Sequence, residues 1–168
     1  MRSRSEALES FGAWLEAAVA GRASTPRTIL IGWVVAVVPS LALFGAQIAL
    51  GSASLPRTRF SSPFAVYSVV LAPVVETLLL LALAWVARAV FPRRPVMQIA
   101  VTGIAFAVVH GITGSWDQAA NVAWPALVYA AILIVRWAQS PAAAFGIAVA
   151  VHALYNGTFF AVALLAPD

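Results

Sequence analysis

Only three side chains in the apolar interior of this chain can carry charge and hold or pass a proton, and each lies in a different hydrophobic segment: Glu76, His110 and His152. Asn156 follows His152 by four residues, which on a helix places both on one face. A charged or titratable group at the centre of a spanning helix costs about 2.5–3.5 kcal/mol on insertion scales, so such residues mark sites rather than filler. A carboxylate and an imidazole that share a water can take its proton as it attacks a carbonyl. A second imidazole and a carboxamide can donate hydrogen bonds to the oxyanion that develops. Hydrolysis is therefore the chemistry this set permits. Two histidines and one glutamate are also a common zinc set, but the chain has no His-Glu-x-x-His helix, and a metal site ranks last among the readings.

The elements that must position these groups are membrane helices. The 168 residues are 62% hydrophobic and 10% charged, with a mean hydropathy of +0.94, which excludes an ordinary soluble domain. Spans are expected at 28–50, 64–90, 95–113, 121–138 and 141–165, each close to what ~30 Å of hydrocarbon requires at ~1.5 Å per residue. The fold class is thus all-α: a polytopic bundle of about five transmembrane helices after a short amphipathic helix. Residues 1–27 form that cytosolic or interfacial segment, in which Leu8, Phe11, Leu15 and Ala18 recur at helical spacing. Residues 28–168 form the bundle that carries the site. The apolar run from Thr28 to Leu50 is longer than a signal-peptide core and reads as the first span.

There is no cysteine, so disulfides and thiolate metal sites are excluded. All ten basic residues are arginines at segment ends, a pattern of topology signals rather than a nucleic-acid surface. With the N-terminus inside, eight arginines fall on the inner side and only Arg57 and Arg59 outside, so the chain reads as N-in and C-out in a cytoplasmic membrane, bacterial by its resemblance below. Trp33, Trp85, Trp116, Trp124 and Trp137 fall near span ends, as interfacial anchors do. Residues 111–121 read as an outer loop holding Asp117 and Asn121. Ala142, Gly146 and Ala150 place a small residue every fourth position, suited to close helix packing.

The order Pro73-Val-Val-Glu76, Phe106-x-x-x-His110 and His152-x-x-x-Asn156, each in its own span, resembles the CPBP family of intramembrane glutamic endopeptidases. That family includes CAAX prenyl-protein endopeptidases and bacteriocin-processing and self-immunity proteins. The resemblance covers about residues 70–160. It implies that Glu76 and His110 activate water, that His152 and Asn156 stabilise the oxyanion, that no cofactor is needed, and that the substrate is a membrane-associated peptide or protein. Phe106, Tyr155 and Thr77 are candidates for a substrate pocket. Thr77 stands where the family has a second Glu, and Leu81 where it has an Arg, so a charged pair one turn apart is replaced as a unit. That departure also fits a catalytically silent relative serving as a membrane scaffold or immunity partner. Membrane lipid is a partner on either reading; nucleic acid is not.

Overall fold

A computed structural model describes residues 24–51 and 62–165. The amphipathic segment expected before residue 24, most of the first outer loop and the last three residues lie outside the described residues. The rest is an all-α bundle. The helices are α1 (Thr25–Ala49), α2 (Ser62–Val66), α3 (Ala72–Val90), α4 (Pro95–Thr113), α5 (Trp116–Arg136) and α6 (Pro141–Leu165). One π turn, Tyr67–Leu71, fuses α2 to α3. Among the described residues five helical units are long and apolar enough to cross a membrane, α2, the π turn and α3 acting as one.

Helix starts follow local chemistry. Proline opens α1, α4 and α6 within their first two positions, where its missing N–H is no loss. α1 begins at Thr25, three residues before the expected boundary, because Pro26 nucleates it. The expected loop at 111–121 is corrected more substantially. α4 runs on to Thr113, and Ser115 caps α5, its hydroxyl accepting from the Gln118 N–H at 3.2 Å. Asp117 then sits in the first turn, where a carboxylate favours the positive end of the helix. The connection is therefore two residues, Gly114 and Ser115, and Asn121 belongs to a helix.

α5 is the central helix, packed against α1, α3, α4 and α6. Its buried face carries Ala126, Tyr129, Ala130 and Leu133, which join Leu80, Phe106, Ile147 and Val151 in the core. α4 lies especially close, because Gly103 has no side chain: a Cβ there would sit 2.7 Å from Leu127 Cδ2 and 3.0 Å from its backbone nitrogen. The small-residue stripe on α6 is not a packing surface. Ala142 and Gly146 are exposed, and a Cβ on Gly146 would meet nothing within 4 Å. α6 instead buries Ala144, Ile147, Ala148, Val151, His152 and Tyr155, a stripe at three- and four-residue spacing.

Three prolines lie inside membrane helices, and each removes an N–H from the helical ladder. In hydrocarbon the carbonyl so orphaned must find another donor. Each one does. Pro39 frees the Val35 carbonyl, which accepts from the Trp124 indole at 2.7 Å. Pro125 frees the Asn121 carbonyl, which accepts from the Tyr155 hydroxyl at 3.4 Å. Pro73 is the third, and there the backbone widens: the Ala72 N–H bonds Tyr67 O, five residues back. In that register the partner of Ser68 O would be the N–H of Pro73, which does not exist. Asn156 supplies it, its Nδ2 donating to Ser68 O at 2.9 Å. Helix pairs α1–α5, α5–α6 and the π turn–α6 are thus joined at their weakest backbone points. Trp124, expected as an interfacial anchor, is one of these ties, and Trp33 is likewise a cross-helix donor, to Thr158 Oγ1 at 3.0 Å.

The arginine-bearing end is tied by side chains. Arg88, in the last turn of α3, donates to the Ile134 carbonyl at 2.6 Å, one of the unpaired carbonyls at the end of α5, and lies 5.6 Å from the Trp137 ring. Arg136 is buried and donates to the Thr28 hydroxyl, which in turn donates to Ser24 O at 3.1 Å.

Candidate functional site

Glu76 sits about midway along the unit running from Pro63 to Val90, and His152 about midway along α6. His110 is in the last turn of α4. The bundle brings all three together. Glu76 Oε2 lies 3.3 Å from His152 Nε2 and 3.6 Å from His110 Nε2. Two histidines from separate helices thus converge on one carboxylate oxygen. Their burial is graded: the side chain of His152 is 6% exposed, that of His110 13% and that of Glu76 31%. The carboxylate side chain is the most accessible of the three and the His152 ring the least.

Hydrogen-bond partners assign the ring tautomers. His110 Nδ1 lies 3.1 Å from the Phe106 carbonyl, four residues earlier, which is an acceptor only, so this nitrogen carries a hydrogen. In the neutral ring Nε2 then has a free lone pair, aimed at Glu76. His152 has the opposite arrangement. Its Nδ1 is buried without a partner among the described residues, and Nε2 is within reach of the carboxylate, so Nε2 donates. One histidine can therefore hold Glu76 as a donor, and the other, when neutral, presents a base. The 3.6 Å gap exceeds a direct hydrogen bond. A water that bonds both Glu76 and His110 Nε2 can pass a proton to that pair as its oxygen attacks an electrophile.

Asn156 occupies the expected face, one turn beyond His152, but its amide already donates to Ser68 O. A carboxamide has two N–H donors, so one is left for another acceptor. The three pocket candidates are all core residues. Phe106 is 1% exposed and tilts against the His110 ring with centroids 4.4 Å apart. Tyr155 is the donor to the Asn121 carbonyl and packs on Phe159. Thr77 is fully buried, with no hydrogen-bond partner for its hydroxyl among the described residues. A glutamate at position 77 would need a cationic partner at 81, where Leu81 now lies in an apolar groove beside Trp85 and Trp137.

Tyr129 was missed by sequence reasoning. Its ring stacks on His152 at 4.6 Å with an interplanar angle of 23°, and it is the largest fully buried side chain among the described residues. It fixes the imidazole plane and hence the line from Nε2 to Glu76. The available signal was weak: a lone tyrosine in an apolar run, four residues after Pro125.

No family model, curated protein or solved structure matches this chain.

Proposed function

We propose that this protein is an intramembrane endopeptidase of the CPBP type, hydrolysing a peptide bond of a membrane-associated protein or peptide through a water activated by Glu76 and His110, without a metal. The observation that carries this reading is the convergence of His110 and His152 on one oxygen of Glu76 within the apolar bundle. Uncompensated, a carboxylate at that depth is costly, and two imidazoles with opposite tautomers are more than a structural anchor needs. In this reading His152 has its one N–H on Glu76 and orients that carboxylate, in place of the oxyanion role the resemblance implied, and His110 Nε2 takes the proton of water as its oxygen attacks the scissile carbonyl. The Asn156 N–H not committed to Ser68 is the candidate oxyanion donor, and the His110 imidazolium returns its proton to the leaving amine. The orientation proposed is N-terminus inside, C-terminus outside, in a bacterial cytoplasmic membrane.

A second reading is a silent relative acting as a scaffold or immunity partner. The engagement of Asn156 with the π turn, together with Thr77 and Leu81 in place of a charged pair, favours it.

The test uses the full chain in liposomes with a mixture of membrane-anchored peptides, cleavage being read by mass spectrometry. The peptidase reading expects cleavage that Glu76→Gln and His110→Ala each abolish while the melting profile stays close to that of the parent. Cleavage at the parent rate in either variant overturns the mechanism. No cleavage of any peptide supports the silent reading. Loss of cleavage on chelation, with recovery on added zinc, would assign the same three groups to a metal instead.

A further inference from the structure

Of the three helices that meet at Glu76, α4 reports the depth of the site most sharply. It is 19 residues long, about 28 Å at the helical rise, and His110 is its one ionisable residue. Arg93 and Arg94 precede it, and Gly114, Ser115 and Asp117 follow it. α4 thus matches ~30 Å of hydrocarbon, with a polar boundary at each end. His110 is fifteen residues from Pro95 but only three from Thr113, about 4.5 Å below the boundary at the α4–α5 connection. The other two helices overshoot that boundary. The unit Pro63–Val90 has 28 residues, about 42 Å, and α6 has 25, about 37 Å. Glu76 and His152 each have thirteen residues of helix on the α4–α5 side, so both stand mid-helix and still meet a ring at the end of α4.

The connection itself is wet by its chemistry. Thr113 to Gln118 are exposed without a break, and Asp117 puts a carboxylate in the first turn of α5. A charge of that kind is expelled from hydrocarbon, so water must come down to this level. Trp116, 67% exposed, lies against Gly111 and marks the same boundary as an interfacial tryptophan. The longer helices can be accommodated by tilt or by a thinner bilayer around the α4–α5 hairpin. Either way, water reaches to about one helical turn from His110, and Glu76 is the most accessible of the three polar groups there.

We infer, resting on the peptidase reading, that the site draws its water from the α4–α5 end and that its substrate is a peptide bond in the membrane-proximal turn of an anchored chain on that side, not one at the bilayer midplane. The last turn of a spanning helix already has carbonyls without an intrahelical N–H partner. A bond there is open to attack without unwinding a helix in hydrocarbon, where every freed N–H and C=O would go unpaired.

The chain has no cysteine, so a single introduced thiol reports on its own position alone. Single-cysteine variants of the full chain in liposomes are treated with a charged, water-soluble methanethiosulfonate on both faces. Thr113→Cys and His110→Cys should react at least ~10-fold faster than Ile104→Cys, exposed on the same helix but six residues deeper than His110, because the reactive thiolate forms in water and not in hydrocarbon. Glu76→Cys is the second probe of the site if His110→Cys loses the parent's melting profile. Thr113→Cys as slow as Ile104→Cys, or a folded site variant as slow, overturns the inference. Anchored peptides in the same liposomes, with the cysteine-free parent, read the substrate. Mass spectrometry of the products should place the cut within about four residues of the anchor's end, the length of one unpaired turn. Cuts at the centre of the anchor overturn the inference and leave the peptidase reading standing. No cut in any peptide removes the peptidase reading and the substrate with it, while the labelling still decides the route of the water.

Discussion

At the scale of single residues, Asn156 has two claims on it, and they can be separated. As the donor to Ser68 O it compensates for Pro73, and its loss leaves a buried carbonyl unpaired, at about 1–3 kcal/mol. As an oxyanion donor its loss would slow cleavage by ~10²–10³-fold. Asn156→Ala is expected to lower thermal stability, and adding Pro73→Ala should restore much of it, because residue 73 then has an N–H of its own to offer. Catalysis would not return with it if the amide also serves the reaction. A double variant as unstable as Asn156→Ala alone would remove the proline account. Glu76 and the two histidines were legible in the sequence because polar groups are rare there and depth could be counted along each span. Their meeting on one oxygen was not legible, since helix rotation about its axis depends on packing partners. The same limit hid Tyr129, whose importance comes from the ring it lies against.

At the scale of elements, spans were readable from hydrophobic run lengths, and four of the five predicted ranges lie within three residues of the observed helices. The start of α5 was not, because Gly111, Gly114 and Ser115 read as a loop cluster, while Ser115 is in fact a cap and Gly111 is where the Trp116 ring packs onto α4. The stripe on α6 failed for a related reason. Small residues at four-residue spacing permit close approach but do not say which face is approached. Two substitutions expose the difference. Gly103→Ala forces a methyl against Leu127 and is expected to destabilise by about 1–3 kcal/mol, read as a lower melting temperature in detergent. Gly146→Ala meets open space and should be neutral, or stabilising by up to ~1 kcal/mol through helix propensity. Equal penalties at both positions would mean that α6 packs through the other face.

At the scale of the whole molecule, the arginines and the helix ties agree on one end of the bundle. Thr28 meets Arg136, and Arg88 meets Ile134, so the start of α1 and the ends of α3 and α5 share a level. In the proposed orientation that level is the cytoplasmic side. A reporter active only outside the membrane should be silent when inserted at Pro92 and active when fused after Asp168. The reverse pattern would invert the bundle. The three prolines bear on the whole as well. A single helix cannot satisfy its own backbone at Val35, Ser68 or Asn121, so each becomes complete only on assembly, and helix pairing is written into the backbone as much as into the side chains.

The meeting of three helices on Glu76 also imposes an order in time. The carboxylate is synthesised 34 residues before His110 and 76 before His152. At ~5–20 residues per second it therefore waits about 4–15 s for its second partner. Through that interval the leucines that follow it must help hold the segment in the bilayer while its polar group has at most one of its two partners. The run Leu78–Leu81 is thus an insertion device as well as a helix face, and the arrival of α6 is the step that ends the nascent chain's exposure.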